Sequence, residues 1–176
     1  HCSRPVWPRW QHSVTAANVA KLDGYSGVVV FNDYNPLAFS EEHVHDYFHA
    51  GWRWAQKAHG ADSSAVYYLF MWNCLWRAGA SLMHGHAQML LGRHHHYGKV
   101  EALRRHALAY RTQTSRSYFD DLYAAHEALG LGFERDGVRV MAHLTPLKEK
   151  ETLLVADPFA DNLPAKVHDV LACFRD

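Results

Sequence analysis

Taken as a pattern of apolar and polar positions, the chain alternates between strand-like and helix-like stretches. Val28-Val29-Val30-Phe31 is a short β-branched and aromatic run, expected to form a buried strand. Asn32-Asp33-Tyr34-Asn35-Pro36 closes it with turn chemistry. Ser40 suits a helix N-cap, and Glu41 and Glu42 follow in a first turn where the helix dipole favours carboxylates. Val44, Tyr47, Phe48, Gly51, Trp52 and Ala55 then recur at helical spacing. They predict a helix over 41–59, packed on a sheet through Val44, Phe48, Trp52 and Ala55. Ala65 to Trp72 is almost wholly apolar and predicts a central strand. From His84 to Leu91 the alternation is strict: His84, His86 and Gln88 take one face, Ala87, Met89 and Leu91 the other. This strand is expected to be central too, pairing antiparallel with the first.

The flanks are less regular. Residues 1–12 carry prolines and tryptophans without an apolar period and read as an irregular arm, while 14–22 is ambiguous and Asp23-Gly24 marks a turn. Helices are predicted near 99–111 and after Ser117, the second stopped by Gly130. Strands are predicted at 138–144 and 151–155. A last helix begins near Pro164, with Val167, Val170, Leu171 and Phe174 as its apolar stripe. The resulting fold class is α+β with a mainly antiparallel sheet. The expected divisions are an arm and hairpin region over 1–27, a main domain over 28–130, and 131–176 as the start of a second, similar half in the same globular unit.

Composition narrows the options. With 176 residues, 48% hydrophobic and 20% charged, the chain is large enough for one real core. Eighteen basic and eighteen acidic residues cancel, so charge points to no nucleic acid and no membrane partner. Cys2, Cys74 and Cys173 are odd in number and widely spaced, which argues for a reducing cytoplasm. Fifteen histidines exceed the needs of any single site.

The chemistry concentrates between Asn73 and Leu91. His84, His86 and Gln88 would converge from one strand beside the Ala78-Gly79-Ala80-Ser81 loop, whose backbone could approach an anion. That is the make-up of a phosphate-handling site. The pattern N-x5-G-x-S-x2-H-x-H-x-Q, carried by Asn73, Gly79, Ser81, His84, His86 and Gln88, resembles the histidine-triad superfamily. Within it the resemblance is to the transferase branch of galactose-1-phosphate uridylyltransferase and the dinucleoside-polyphosphate phosphorylases. The resemblance implies a histidine-triad-like fold, a nucleotide substrate and His86 as nucleophile. It also implies catalytic support from Gln88 and His84, and phosphate contacts from Ser81, Gly79 and Asn73. It is clear over 28–92 and rests on pattern alone from 118 onward. Against the long members of the family, most of the second half is missing. The family forms its sites by pairing two halves, so a homodimer or further sequence is expected to cover the last apolar stripe.

An imidazole can attack phosphorus and leave again, because it is nucleophilic when neutral. Glutamine at position 88 can donate to a phosphoryl oxygen but cannot deliver a proton, which suits exchange between phosphate leaving groups. The expected function is therefore nucleotidyl transfer or phosphorolysis through a nucleotidyl-histidine, acting on a nucleotide sugar or dinucleoside polyphosphate. The alternatives are a hydrolase of the same fold and a non-catalytic nucleotide-binding domain. Asn32 and Asp33 either contact ribose, as a strand-end acid does in the superfamily, or cap the turn. Some uridylyltransferases bind zinc through a Cys-x-x-Cys pair, a distant histidine and the first motif histidine. No such cysteine pair occurs here, and His94-His95-His96 and the His45/His49 pair lack converging partners, so no metal and no cofactor are expected.

Overall fold

A computed structural model describes residues 9–19, 24–157 and 163–172. Up to Tyr97 they form one compact unit, and from Gly98 a second.

The first unit is a four-stranded antiparallel sheet with one long helix on one face. Its strands are β1 (Ser13–Ala17), β2 (Tyr25–Phe31), β3 (Tyr67–Met71) and β4 (His86–Gly92), in the order β1-β2-β4-β3. The ambiguous stretch after Val14 is thus resolved as β1, and β2 starts three residues before its β-branched run. β4 is central as expected, and it pairs antiparallel with β3. β3 itself is not central: among the described residues its only strand partner is β4, and it forms one end of the sheet. An apolar run reports covered faces, not lateral neighbours. All five β3 residues are half-buried, as that reading of the faces requires.

Helix α1 (Glu41–Ala61) starts at Ser40, whose hydroxyl accepts from the His43 amide while His43 Nδ1 accepts from the Ser40 amide. Its buried face is Val44, Tyr47, Ala50, Gly51, Ala55 and Ala58. Trp52, expected on that face, is exposed and meets Tyr68 only edge-on, and Phe48 is half-buried against Phe70. Small residues took the central positions because the sheet supplies the bulk. A Cβ on Gly51 would stand 2.6 Å from the Tyr68 hydroxyl and 2.9 Å from the Phe70 ring. The core joins Val29, Phe31, Tyr47, Ala50, Ala87 and Met89, with Phe31 stacked on Tyr47 at 3.7 Å between centroids and Trp72 edge-on to both.

Two polar residues lie in this interface. Ser13 is fully buried and donates to Asp46 Oδ2 at 2.6 Å, while the Gln11 amide donates to Oδ1. One carboxylate on α1 thereby fixes the approach to β1.

The second unit holds α2 (Gly98–Thr114), α3 (Tyr118–Ala128), a three-stranded antiparallel sheet of β5 (Gly132–Arg135), β6 (Val138–Ala142) and β7 (Thr152–Val155), and α4 (Leu163–Ala172). Ser117 caps α3, and Gly130 ends it at φ 70° with the Leu131 amide reaching back to the His126 carbonyl. β5 has no counterpart in the sequence reading, because Phe133 is exposed and the strand carries no apolar alternation. Phe174 and Cys173 of the expected last helix lie outside the described residues.

Candidate active site

The site is built on β4 and the segments that hold its N-terminal end. Ala87 and Met89 are fully buried under α1, so alternation turns His86 and Gln88 to the opposite face of the sheet. In the ladder, His86 stands opposite Val30, and Gln88 opposite Val28 on one side and Met71 on the other. All three motif side chains, His84, His86 and Gln88, are half-buried. His84 precedes the strand, in a bend.

Hydrogen bonds settle the two imidazoles. His86 Nδ1 lies 2.8 Å from the His84 carbonyl oxygen, and His84 Nε2 lies 2.8 Å from the Phe31 carbonyl oxygen. A carbonyl only accepts, so His86 carries its hydrogen on Nδ1 and His84 carries one on Nε2. In neutral His86 this leaves a lone pair on Nε2.

The loop before the motif histidines is a single 3-10 turn, Trp76–Ala78. Leu75 enters it at φ 63°, an uncommon conformation for a bulky residue, and Gly79 leaves it at φ 84°. The Gly79 amide donates to the Trp76 carbonyl and the Ala80 amide to Leu75, so both N–H groups are used within the turn. Gly79 and Ser81 are exposed, and Asn73 is half-buried. Cys74 is a free thiol pushed up to about 11 by burial, and so is a poor nucleophile.

Asn32 and Asp33 occupy the turn after β2, and both are exposed. Asp33 Oδ1 accepts from the Asn35 amide, and Asn32 Nδ2 donates to the Gln11 carbonyl. Each therefore has a local structural task. The structure does bring this turn to the motif: the Gly85 amide donates to the Tyr34 carbonyl at 3.1 Å, and Tyr34 meets the His84 ring edge-on at 5.6 Å. Tyr34 and Gly85 escaped the sequence reading. The signal for Gly85 was present, since a glycine entering a strand often marks close backbone approach.

Among the described residues, no group of three or more histidine, cysteine or acidic side chains is arranged to hold a metal ion. No described helix is long and apolar enough to cross a membrane.

The chain has an α+β fold of antiparallel sheets, with α1 on one face of the first sheet and His86 and Gln88 turned to the other. Three solved structures share it across nearly the whole chain. A uridylyltransferase matches 95% of this chain and 61% of its own, with a TM-score of 0.70 and 15% identity. A galt-like protein from Arabidopsis thaliana matches 93% of this chain and 60% of its own, at a TM-score of 0.67 and 16% identity. An ADP-glucose phosphorylase from Arabidopsis thaliana, with ADP-glucose bound, matches 93% and 58%, at 0.63 and 15% identity. The chain therefore spans about 60% of the length of these proteins. No family model and no curated protein sequence matches it.

Proposed function

We propose that the protein is a nucleotidyltransferase or phosphorylase acting on a nucleotide sugar or dinucleoside polyphosphate, with His86 as the nucleophile. The observation that carries this reading is the hydrogen bond from His86 Nδ1 to the His84 carbonyl, which leaves Nε2 unprotonated on the sheet face away from α1. Nε2 attacks the α-phosphorus of the donor, a P–N bond forms, and the bond to the departing phosphate breaks with its electron pair on oxygen. A phosphate oxygen of the acceptor then attacks the same phosphorus, and the P–N bond breaks to return neutral His86. Neither leaving group needs a proton. Gln88, on the same face, donates to the phosphoryl oxygens as charge builds there. Asn73, Gly79 and Ser81 shape the loop that receives the remaining phosphate. The names of the uridylyltransferase and the ADP-glucose phosphorylase support this class of donor.

Incubation with nucleotide sugars and dinucleoside polyphosphates, followed by intact mass measurement, tests it. Wild type gains one nucleotidyl group, and His86→Ala gains none. An adduct that persists in His86→Ala, or maps to His94, His95 or His96, overturns the assignment. No adduct with any donor favours a nucleotide-binding domain without turnover.

A further inference from the structure

His84 and Gly85 make three hydrogen bonds to the end of β2 and the turn that follows it. Phe31 gives its amide to the Gly85 carbonyl at 2.9 Å and takes the His84 Nε2–H on its own carbonyl at 2.8 Å. The Gly85 amide reaches the carbonyl of Tyr34, three residues past the strand. The His84 ring thus supplies a donor at the point where the β2–β4 ladder ends. The backbone carbonyl of the same residue then receives His86 Nδ1–H.

The fit leaves no slack at position 85. A Cβ there would lie 2.6 Å from Phe31 Cδ2, 3.2 Å from Pro36 Cα and 3.3 Å from the Asp33 carbonyl oxygen. Phe31 cannot yield, since it is 2% exposed and clamped between Tyr47 and Trp72. Any side chain at 85 must push the 84–86 segment off the turn. That displacement would move the one acceptor that decides which nitrogen of His86 carries hydrogen. Without a fixed acceptor at Nδ1, an imidazole favours the Nε2–H tautomer, whose outward nitrogen cannot attack phosphorus.

We propose that His84 and Gly85 are positioning residues: they latch the His86 strand to the Phe31–Pro36 turn and so hold His86 in its nucleophilic tautomer. The proposal rests on the reading of His86 as nucleophile, and two separate measurements keep the claims apart. The first reads tautomers directly, by two-bond proton–nitrogen correlations of the folded protein above the histidine titration range. Wild type shows His86 protonated on Nδ1. His84→Phe, which keeps the ring and loses the donor, shifts His86 toward the Nε2–H form, and Gly85→Ala does the same. His84→Gln, whose amide reaches about as far as Nε2, restores the wild-type signal. The second measurement is adduct formation in a single turnover. His84→Phe lowers the maximal rate roughly a hundredfold, as small misplacements of reacting groups do, with little change in the half-saturating donor concentration. His84→Gln recovers most of the rate. If Gly85→Ala does not fold, His84→Phe carries the test. A folded His84→Phe that keeps His86 in the Nδ1–H form at the wild-type rate overturns the latch. A tautomer that depends on His84 in a protein forming no adduct upholds the latch and overturns the nucleophile instead.

Discussion

In the proposed reaction, Gln88 is the residue on which the choice of acceptor turns. It shares a strand face with His86 and stands between Val28 and Met71 in the ladder, so its backbone is held on both sides. Gln88→Ala is expected to slow adduct formation about a hundred- to a thousandfold while still permitting it, the usual cost of losing one donor to developing negative charge. Gln88→His is expected to raise water as an acceptor over phosphate, since a third histidine can manage a proton; product analysis by ion exchange reads the ratio. Asp62, at the C-terminal end of α1, offers a second test at this scale. Hydrogen bonds from Ser64, and then from Arg93, hold its carboxyl down to about 2, below the ordinary carboxylate value. A carboxyl depressed in the folded state adds stability above its unfolded pKa, and that stability is lost as pH falls toward 2. Acid unfolding of Asp62→Asn followed by fluorescence should therefore be flatter than wild type between about pH 4 and 2. An unchanged slope would remove Asp62 from the account.

At the scale of elements, α1 was legible in sequence and its packing face only partly so. The Ser40 cap, the two first-turn glutamates and the apolar period placed the helix within two residues of its observed end. Ser40→Ala should lower the stability of the fold by about 1 kcal/mol, measured by urea unfolding, because the capping box loses its hydroxyl. The face differed because a helical stripe of Val44, Tyr47, Phe48, Gly51, Trp52 and Ala55 is wider than the contact. Only close approach to Tyr68 and Phe70 selected Gly51 and Ala50 over Trp52. The hidden strands have a similar cause. β1 buries Ser13 and Thr15 rather than apolar side chains, with Asp46 taking the Ser13 hydroxyl, so its alternation is inverted relative to hydropathy.

At the scale of the whole molecule, the chain leaves surfaces that ask for cover. β3 is uncharged (Tyr67-Tyr68-Leu69-Phe70-Met71), ends its sheet among the described residues, and so presents open backbone groups along one edge. On α4, Val167, Val170 and Leu171 remain half-exposed. We expect a homodimer in solution, with light scattering giving twice the mass of one chain. A monomer at every concentration would count against it. Similar proteins of greater length also carry chain that this sequence does not contain, which is a second way to cover the same surfaces.

What the sequence determined by itself was local and periodic. The order of residues fixed the strict alternation from His84 to Leu91, the helix after Ser40, the turn at 32–36 and the α+β class, because each depends on neighbours within a few positions. The spacing from Asn73 to Gln88 also pointed to a phosphate-handling strand. What only the tertiary structure decided depends on groups far apart in the chain. Phe31 and His84 are 53 positions apart, yet their bond gives the His84 ring its tautomer. The edge position of β3 and the acceptor for His86 are set by backbone atoms, which leave no mark in side-chain pattern, and the demand for glycine at 85 is set by the Phe31 ring and the turn that follows it.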